Sequence, residues 1–369
     1  MKIKVAYDYK LFILQRYGGI SRYLYSLVKQ LSKSQEIYPK IFSPLHNNYY
    51  ITQLKKINYF GIYAPLLFPK LTRPSETINT FVSLSKIKKF QPNIVHETYY
   101  STEHFLKSNV PRVLTVHDLI NEIYPQQFMN NNSNISSKSN SIKRADHIIC
   151  VSKNTQRDLL EHYQIPKEKT TVVYHGVDDI FINKNCPITR QLNKPFLLYV
   201  GSRSKYKNFK KLLLAYSLSK HINKEFNLIC FGGGNFTNCE LNMIKETGLN
   251  LSQVHYKNGD DKLLSKLYRN ATLFVYPSLY EGFGIPLLEA MASGCPVICS
   301  NSSSIPEVVG NAAQMFNPEQ EEDIKYNLEK VLFSEKKLKS MKSKGFNNSK
   351  KFSWENCAKK TSQVYKSLL

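Results

Sequence analysis

The sequence predicts an α/β chain of two domains, each built on a parallel sheet with crossover helices. Three observations carry this. Short, largely apolar runs recur along the chain, among them Lys2–Tyr7 (KIKVAY), Asn93–His96 (NIVH), Arg112–Val116 (RVLTV), Phe196–Val200 (FLLYV) and Thr272–Tyr276 (TLFVY). Runs of this kind mark strands covered on both faces. Helical stretches separate them, an alternation that produces parallel rather than hairpin pairing. Finally, 369 residues suffice for two domains of ordinary size, and the polar stretch 183–195 (NKNCPITRQLNKP) reads as the linker between them.

Composition narrows the class. A hydrophobic fraction of 42% with 12% aromatics excludes a disordered chain, and no apolar run is long enough for a spanning helix. The start, MKIKVAYDYK, enters a strand without an apolar leader, and the seven cysteines are scattered singly with no C-x-x-C pair. Both features point to a reducing cytoplasm and away from structural zinc. The net charge of +23 admits three readings. Nucleic acid is disfavoured, because no recognition motif accompanies the charge. An anionic membrane surface, with the chain peripheral on its inner face, is one reading. Composition bias towards Lys, Asn, Ile and Tyr is the other.

In chain order, Lys2–Tyr7 is the first strand, and Gly18-Gly19 opens a helix to about Lys33 with Ile20, Leu24, Leu27, Val28 and Leu31 on one face. A glycine pair there is either a tight turn or an opening for a phosphate or sugar at the helix N–H groups. His117-Asp118 follows RVLTV directly, and ligands of parallel sheets sit at the carboxyl ends of strands. Residues 126–141 (QQFMNNNSNISSKSNS) have almost nothing to bury and read as a loop. Ser152 is the N-cap of a helix through about His162.

In the second half, Gly201 ends FLLYV, and Arg203, Lys205 and Lys207 follow before an apolar-faced helix. That is a basic turn, either solvated or placed for a diphosphate. Asn227–Gly234 is a strand ending in glycines, Asp260 a cap, Pro306-Glu307 a turn, and 319–351 exposed charged helices. The most informative stretch is 272–300, TLFVYPSLYEGFGIPLLEAMASGCPVICS. It is a strand, a loop with Gly282 and Gly284, a helix entered at Pro286 and stopped at Gly294, and a second strand. The start of that helix is an anion site. Glu281 precedes the glycines, and Glu289 lies eight residues on. Glu289 either complements the helix dipole or accepts both hydroxyls of a ribose.

The pattern E-G-F-G-x-P-x-x-E-A-M-A-x-G-x-P-V, from Glu281 to Val297, resembles the retaining, nucleotide-sugar-dependent glycosyltransferases of family 4 (glycosyl transferases group 1). Glu281 and Glu289 match its paired glutamates, and weaker similarity runs over nearly the whole chain. The resemblance implies the GT-B fold, two Rossmann-like domains facing across a cleft, here 1–185 plus 352–369 and 191–351. Phe352–Leu369 would be a final helix returning to the first domain. It implies transfer of a sugar, with retention, to a saccharide or lipid-linked saccharide in surface polysaccharide synthesis, with GDP-mannose the first donor expectation. Glu281 would hold donor-sugar hydroxyls and His117 would approach the sugar. Gly19 would lie near the donor, and the backbone of Gly282, Phe283 and Gly284 would meet the diphosphate. Relatives carry Arg-Lys-Asn where this chain has Tyr206-Lys207-Asn208, so Lys207 carries over and Arg203 is taken as the substitute cation. Neither a cofactor nor a metal is expected, and no residue stands out as a covalent nucleophile. Two other classes remain. A non-catalytic nucleotide-sugar binder would keep the same residues without turnover. A dinucleotide-dependent enzyme would need G-x-G-x-x-G, which fails at Thr237 after Gly232 and Gly234.

Overall fold

The computed structural model describes residues 2–68, 72–102, 109–127, 132–182, 194–203 and 205–369. Most of the expected linker therefore lies outside the described residues. The chain forms two compact units, Met1–His175 with Trp354–Leu369, and Gly176–Ser353.

In the first unit the strands are β1 (Ile3–Tyr7), β2 (Ile37–His46), β3 (Tyr59–Tyr63), β4 (Ile94–Glu97), β5 (Arg112–Val116), β6 (His147–Cys150) and β7 (Thr170–Val172). They form one sheet in the order β3-β2-β1-β4-β5-β6-β7, parallel throughout. The second unit holds β8 (Phe196–Val200), β9 (Asn227–Phe231), β10 (Val254–Lys257), β11 (Leu273–Tyr276), β12 (Val297–Ser300) and β13 (Gln314–Phe316). Their order is β10-β9-β8-β11-β12-β13, again all parallel. In each sheet the first strand lies inside and the order reverses beside it, which is the doubly wound Rossmann-like arrangement.

The helix Gly19–Leu31 packs on the first sheet through Tyr23, Leu24, Leu27, Val28 and Leu31. The final helix, Trp354–Ser367, completes that same core with Trp354, Cys357, Ala358, Val364 and Tyr365. A buried hydrogen-bond chain fixes it there. Tyr365 Oη lies 2.7 Å from Tyr7 Oη and 2.6 Å from His96 Nδ1. His96 Nε2 lies 2.9 Å from Thr115 Oγ1, which is 3.1 Å from Tyr23 Oη.

Three expectations are corrected. Residues 132–144 are helical rather than a loop. Their buried face is Lys138, Ser141 and Ile142, and the Lys138 ammonium donates to Glu122 Oε2 at 2.8 Å and to the Asp118 carbonyl at 3.1 Å. An apolar pattern cannot reveal a helix that buries an ion pair. Residues 176–182, assigned by sequence to the first domain, belong to the second unit. Ser265 Oγ and Arg269 Nη2 both donate to the Ile180 carbonyl, and the Phe181 ring meets Tyr268. Pro306-Glu307 lies inside a short helix, Ile305–Val309, not a turn.

Two outcomes follow for stability. Truncation after Ser353 removes Trp354 and Tyr365 from the core and leaves His96 Nδ1 unpaired. A fall of several kcal/mol is expected from lost aromatic packing plus an orphaned buried group. An unchanged melting midpoint would show the helix to be dispensable.

Acid should also destabilise the first unit. Burial pulls His46, His96 and His117 down to about 4, 3 and 3. Unfolded imidazoles protonate near ~6.5, so the unfolded chain binds the extra protons, and this stability, full above that value, is lost as pH falls towards 4. Asp8, raised to about 6 by burial, works in the opposite sense but offsets only one of the three. Stability should therefore drop by about 2 kcal/mol or more per pH unit between roughly pH 6 and 5. Melting curves at pH 7, 6 and 5 test this, and a flat or rising midpoint contradicts it.

Candidate active site

In the second unit, two loops are brought together at the carboxyl ends of β8 and β11. The Leu279 N–H donates to the Tyr206 carbonyl at 2.8 Å, which sets Lys205–Lys207 beside Ser278–Glu281. Lys207 Nζ consequently donates to Glu281 Oε1 at 2.7 Å, with the two side chains only 15% and 11% exposed. The ammonium also lies 5.2 Å from the Tyr206 ring and 5.6 Å from the Tyr276 ring. Asn208, with a left-handed φ of 57°, turns the chain into the helix Phe209–Leu218, and its amide donates to the Pro318 carbonyl.

The glycine loop is strapped from behind. The Glu281 N–H donates to Ser303 Oγ at 2.9 Å, and Ser304 Oγ donates to the carbonyls of Glu281 and Phe283 at 2.8 and 3.1 Å. Gly284 sits at φ 99° before the helix Ile285–Ala292, and a Cβ there would lie 2.9 Å from Leu287 Cδ1. The positive φ is what calls for glycine here. Gly282 is buried, and the Phe283 ring packs edge-on against Phe352 at 6.0 Å. What Phe283 can offer a ligand is therefore its backbone. Glu289, buried within the helix, accepts from Tyr268 Oη at 3.2 Å. Sequence reasoning missed Ser303, Ser304 and Tyr268. The Ser302-Ser303-Ser304 run before Ile305-Pro306 is a helix-start signal that could have drawn attention to the first two.

Arg203 is placed otherwise than expected. Its guanidinium donates to Glu240 Oε1 at 2.7 Å, to the Gly232 carbonyl at 2.8 Å and to the Gly234 carbonyl at 2.8 Å, and its side chain is 1% exposed. Gly232, Gly233 and Gly234 all have positive φ, which turns successive carbonyls out of the ladder, and Arg203 collects them. Arg203 is thus an internal strut rather than a free cation. Lys205 is exposed. Burial would raise the Glu240 carboxyl, but bonds from Arg203 and Thr237 outweigh it and hold the carboxyl below its usual range.

In the first unit, Gly19 begins the helix Gly19–Leu31, and a Cβ there would meet nothing within 4 Å. The fold itself does not demand glycine at that position. His117 lies at the carboxyl end of β5, 8% exposed, with its ring 5.2 Å from Tyr23 and 6.1 Å from His175. Its Nε2 has no hydrogen-bond partner among the described residues. Asp118 is occupied locally, accepting from the Ile120 N–H at 3.2 Å. Tyr23 and His175 were not singled out from sequence, because ring-to-ring contacts leave no local pattern.

Comparison with known proteins places this geometry. The model "Glycosyltransferase Family 4" matches residues 17–180, and "Glycosyl transferases group 1" matches residues 184–348. The chain is 28% identical to O-antigen chain mannosyltransferase B of Escherichia coli, over 95% of this chain and 96% of that protein. It is 26% identical to O-antigen chain mannosyltransferase RfbU of Salmonella typhimurium, over 82% and 84%. Among solved structures, Anabaena HepE in complex with UDP-glucose superposes with a TM-score of 0.77 at 16% identity, covering 99% of this chain and all of that one. WaaG, a glycosyltransferase involved in lipopolysaccharide biosynthesis, superposes at 0.73 and 17%, covering 98% and 99%. With two matched models that together span most of the chain, this protein belongs to the family 4 (group 1) glycosyltransferases and has their GT-B fold.

Proposed function

We propose that this glycosyltransferase takes a sugar from a nucleotide donor and passes it, with retention, to a saccharide or lipid-linked saccharide acceptor during polysaccharide assembly. The observation that carries the reading is the sheltered Lys207–Glu281 pair beside the glycine turn that starts the helix Ile285–Ala292, with Glu289 about one turn from that start. In the reaction, the bond from the anomeric carbon to the diphosphate breaks and negative charge gathers on the leaving phosphate. Lys207 and the N–H groups at the helix start would stabilise that charge more than the ground state, which is what accelerates the step. Glu281, oriented by Lys207, would hold donor-sugar hydroxyls, and Glu289 would hold the ribose. His117, neutral and with an unpaired Nε2, would bind a hydroxyl of the sugar. An open ring nitrogen costs about 1–3 kcal/mol when buried, and a ligand would remove that cost.

Donor identity rests on the relatives. Those named above are mannosyltransferases by name, which supports GDP-mannose as the first donor to test. Turnover needs no metal in this reading, because Lys207 and backbone dipoles meet the diphosphate; activity should survive a chelator. A panel of UDP-, GDP- and dTDP-sugars, scored by nucleotide release and by the anomeric configuration of the product, is the direct test. An inverted product, or release from none of the donors, would overturn the reading.

The two glutamates should separate. Glu281→Ala frees the Lys207 ammonium, so free nucleoside diphosphate should bind at least as well while turnover falls. Glu289→Ala should weaken the free nucleotide by about 1.5–3 kcal/mol through lost bonds to a charged acceptor. Calorimetry decides, and equal losses from both substitutions contradict the assignment.

The two cations should separate as well. Lys207→Ala should lower kcat by about 10²-fold, the scale of one preorganised donor, with little change in melting. Arg203→Ala should instead cost about 3 kcal/mol of stability, because it strands Glu240 and the glycine carbonyls. If Arg203→Ala melts normally and loses only kcat, the strut assignment is wrong.

A further inference from the structure

Tyr25 packs against the core of the first unit, and three further tyrosines continue outward from it. Ring centroids step 5.9 Å from Tyr25 to Tyr50, 6.2 Å from Tyr50 to Tyr49, and 5.4 Å from Tyr49 to Tyr17. The outer two are open to water, Tyr49 at 42% and Tyr17 at 56% exposed. They are nevertheless held in place. The Tyr49 N–H donates to the Arg16 carbonyl at 3.1 Å, and the Asn48 amide donates to the Gln15 carbonyl at 2.6 Å. Large rings kept at fixed positions yet left in water mark a binding surface rather than a core.

The row starts at the ligand end of the sheet and runs towards the other end. Tyr17 precedes Gly18-Gly19 at the start of the helix Gly19–Leu31, beyond the carboxyl end of β1, and Tyr49 follows the carboxyl end of β2. Tyr25, Lys29 and Ser32 recur at four- and three-residue spacing, so they share one flank of that helix. The Lys29 ammonium lies 5.5 Å from the Tyr25 ring centroid. Lys29, Ser32 and Gln53 then line a cavity of about 480 Å³ with Tyr38, Leu54 and Ile57, near the amino ends of β1 and β2. That volume suits a small ligand.

A pyranose presents a face of C–H groups and a rim of hydroxyls. The C–H face meets the electron-rich face of a tyrosine ring, and the hydroxyls meet polar groups at the ring's edge. Along this row those groups are the tyrosine hydroxyls, the Arg16 guanidinium 5.5 Å from the Tyr17 ring, and the exposed side chains of Lys29 and Gln53. We propose that the row and its cavity bind the already-built part of a long acceptor saccharide, several sugars back from the one being extended. That the saccharide is an acceptor rests on the transferase reading above. Aromatic rings beside basic side chains also suit single-stranded nucleic acid. The saccharide is favoured because the row starts where that reading places the sugar substrates. A second copy of the chain is disfavoured, since a net charge of +23 repels its own kind.

The test is calorimetry of the full chain, without donor, against α-linked mannose disaccharide and hexasaccharide, mannose being the first sugar to test in that reading. Wild type should bind the hexasaccharide about 10-fold or more tighter, the scale of two aromatic contacts, because only the longer chain spans successive rings. Tyr17→Ala with Tyr49→Ala should remove the difference, and Tyr17→Phe with Tyr49→Phe should keep most of it. Lys29→Ala with Gln53→Ala should weaken the hexasaccharide alone. All four side chains are exposed, so melting should be unchanged, and the phenylalanine pair separates stacking from folding in any case. Equal wild-type affinities for the two saccharides, or hexasaccharide binding untouched by the tyrosine-to-alanine pair, overturn the proposal. So does an oligothymidine that binds through these tyrosines where the hexasaccharide does not. The titration needs no turnover, so a failed donor panel leaves it standing, and a failed titration leaves the donor panel standing.

Discussion

Lys207 and Glu281 lie 74 positions apart in sequence and 2.7 Å apart in the fold, and the arrangement of the second unit's ligand end depends on that meeting. A sheltered ion pair gains little net stability, because desolvation consumes most of the Coulomb attraction. It does fix orientation, since a carboxylate held by one cation presents its other oxygen in a defined direction. Keeping the pair in register takes a backbone bond from Leu279 to Tyr206 and the two serines behind the glycine loop. The turn itself is possible only because Gly284 accepts a left-handed φ.

The basic loop after β8 shows how one short stretch divides its labour. Arg203 and Lys207 are four residues apart, and either would serve a diphosphate on charge alone. The planar fork of arginine suits several acceptors at once, and the triple-glycine turn after β9 presents a row of them. Lysine, a single point charge on a flexible stem, is left at the open end of the loop. Where the relatives have Arg-Lys-Asn, this chain has Tyr206 before Lys207, and its nearby arginine, Arg203, is bonded to Glu240 and the glycine carbonyls. In the structure the Tyr206 ring lies against the Lys207 ammonium.

The first unit is held by a different means. Its core contains a hydrogen-bonded line of Tyr7, Tyr365, His96, Thr115 and Tyr23, whose last ring touches His117. Buried networks of this kind are costly unless fully paired. Here the final helix supplies Tyr365, which bonds both Tyr7 and His96. The tail of the chain is thereby part of the support around His117 and not an addition to it.

The sequence by itself determined the class and the order of the elements. Strands buried on both faces must be apolar runs, so Phe196–Val200 and Leu273–Tyr276 announce themselves. Glycine and proline punctuate with specific backbone demands, so the turn at 282–286 was legible to the residue. The candidate residues Lys207, Glu281 and Glu289 could be named from their neighbours in the chain. Tertiary structure alone decided their partners. The Arg203–Glu240 bond, the Lys138–Glu122 bond and the aromatic walls of His117 join residues whose local sequence carries no trace of one another. The helix Asn132–Arg144 was hidden for the same reason, since it buries a lysine and a serine whose burial is favourable only once the facing carboxylate and carbonyl are in place. In Thr72–Phe90 the buried Asn79 and Ser83 bond strand backbone, beside Ile87, which enters the core. Periodicity reports which residues avoid water, and it cannot report polar groups that avoid water only because a distant residue meets their hydrogen-bonding requirement.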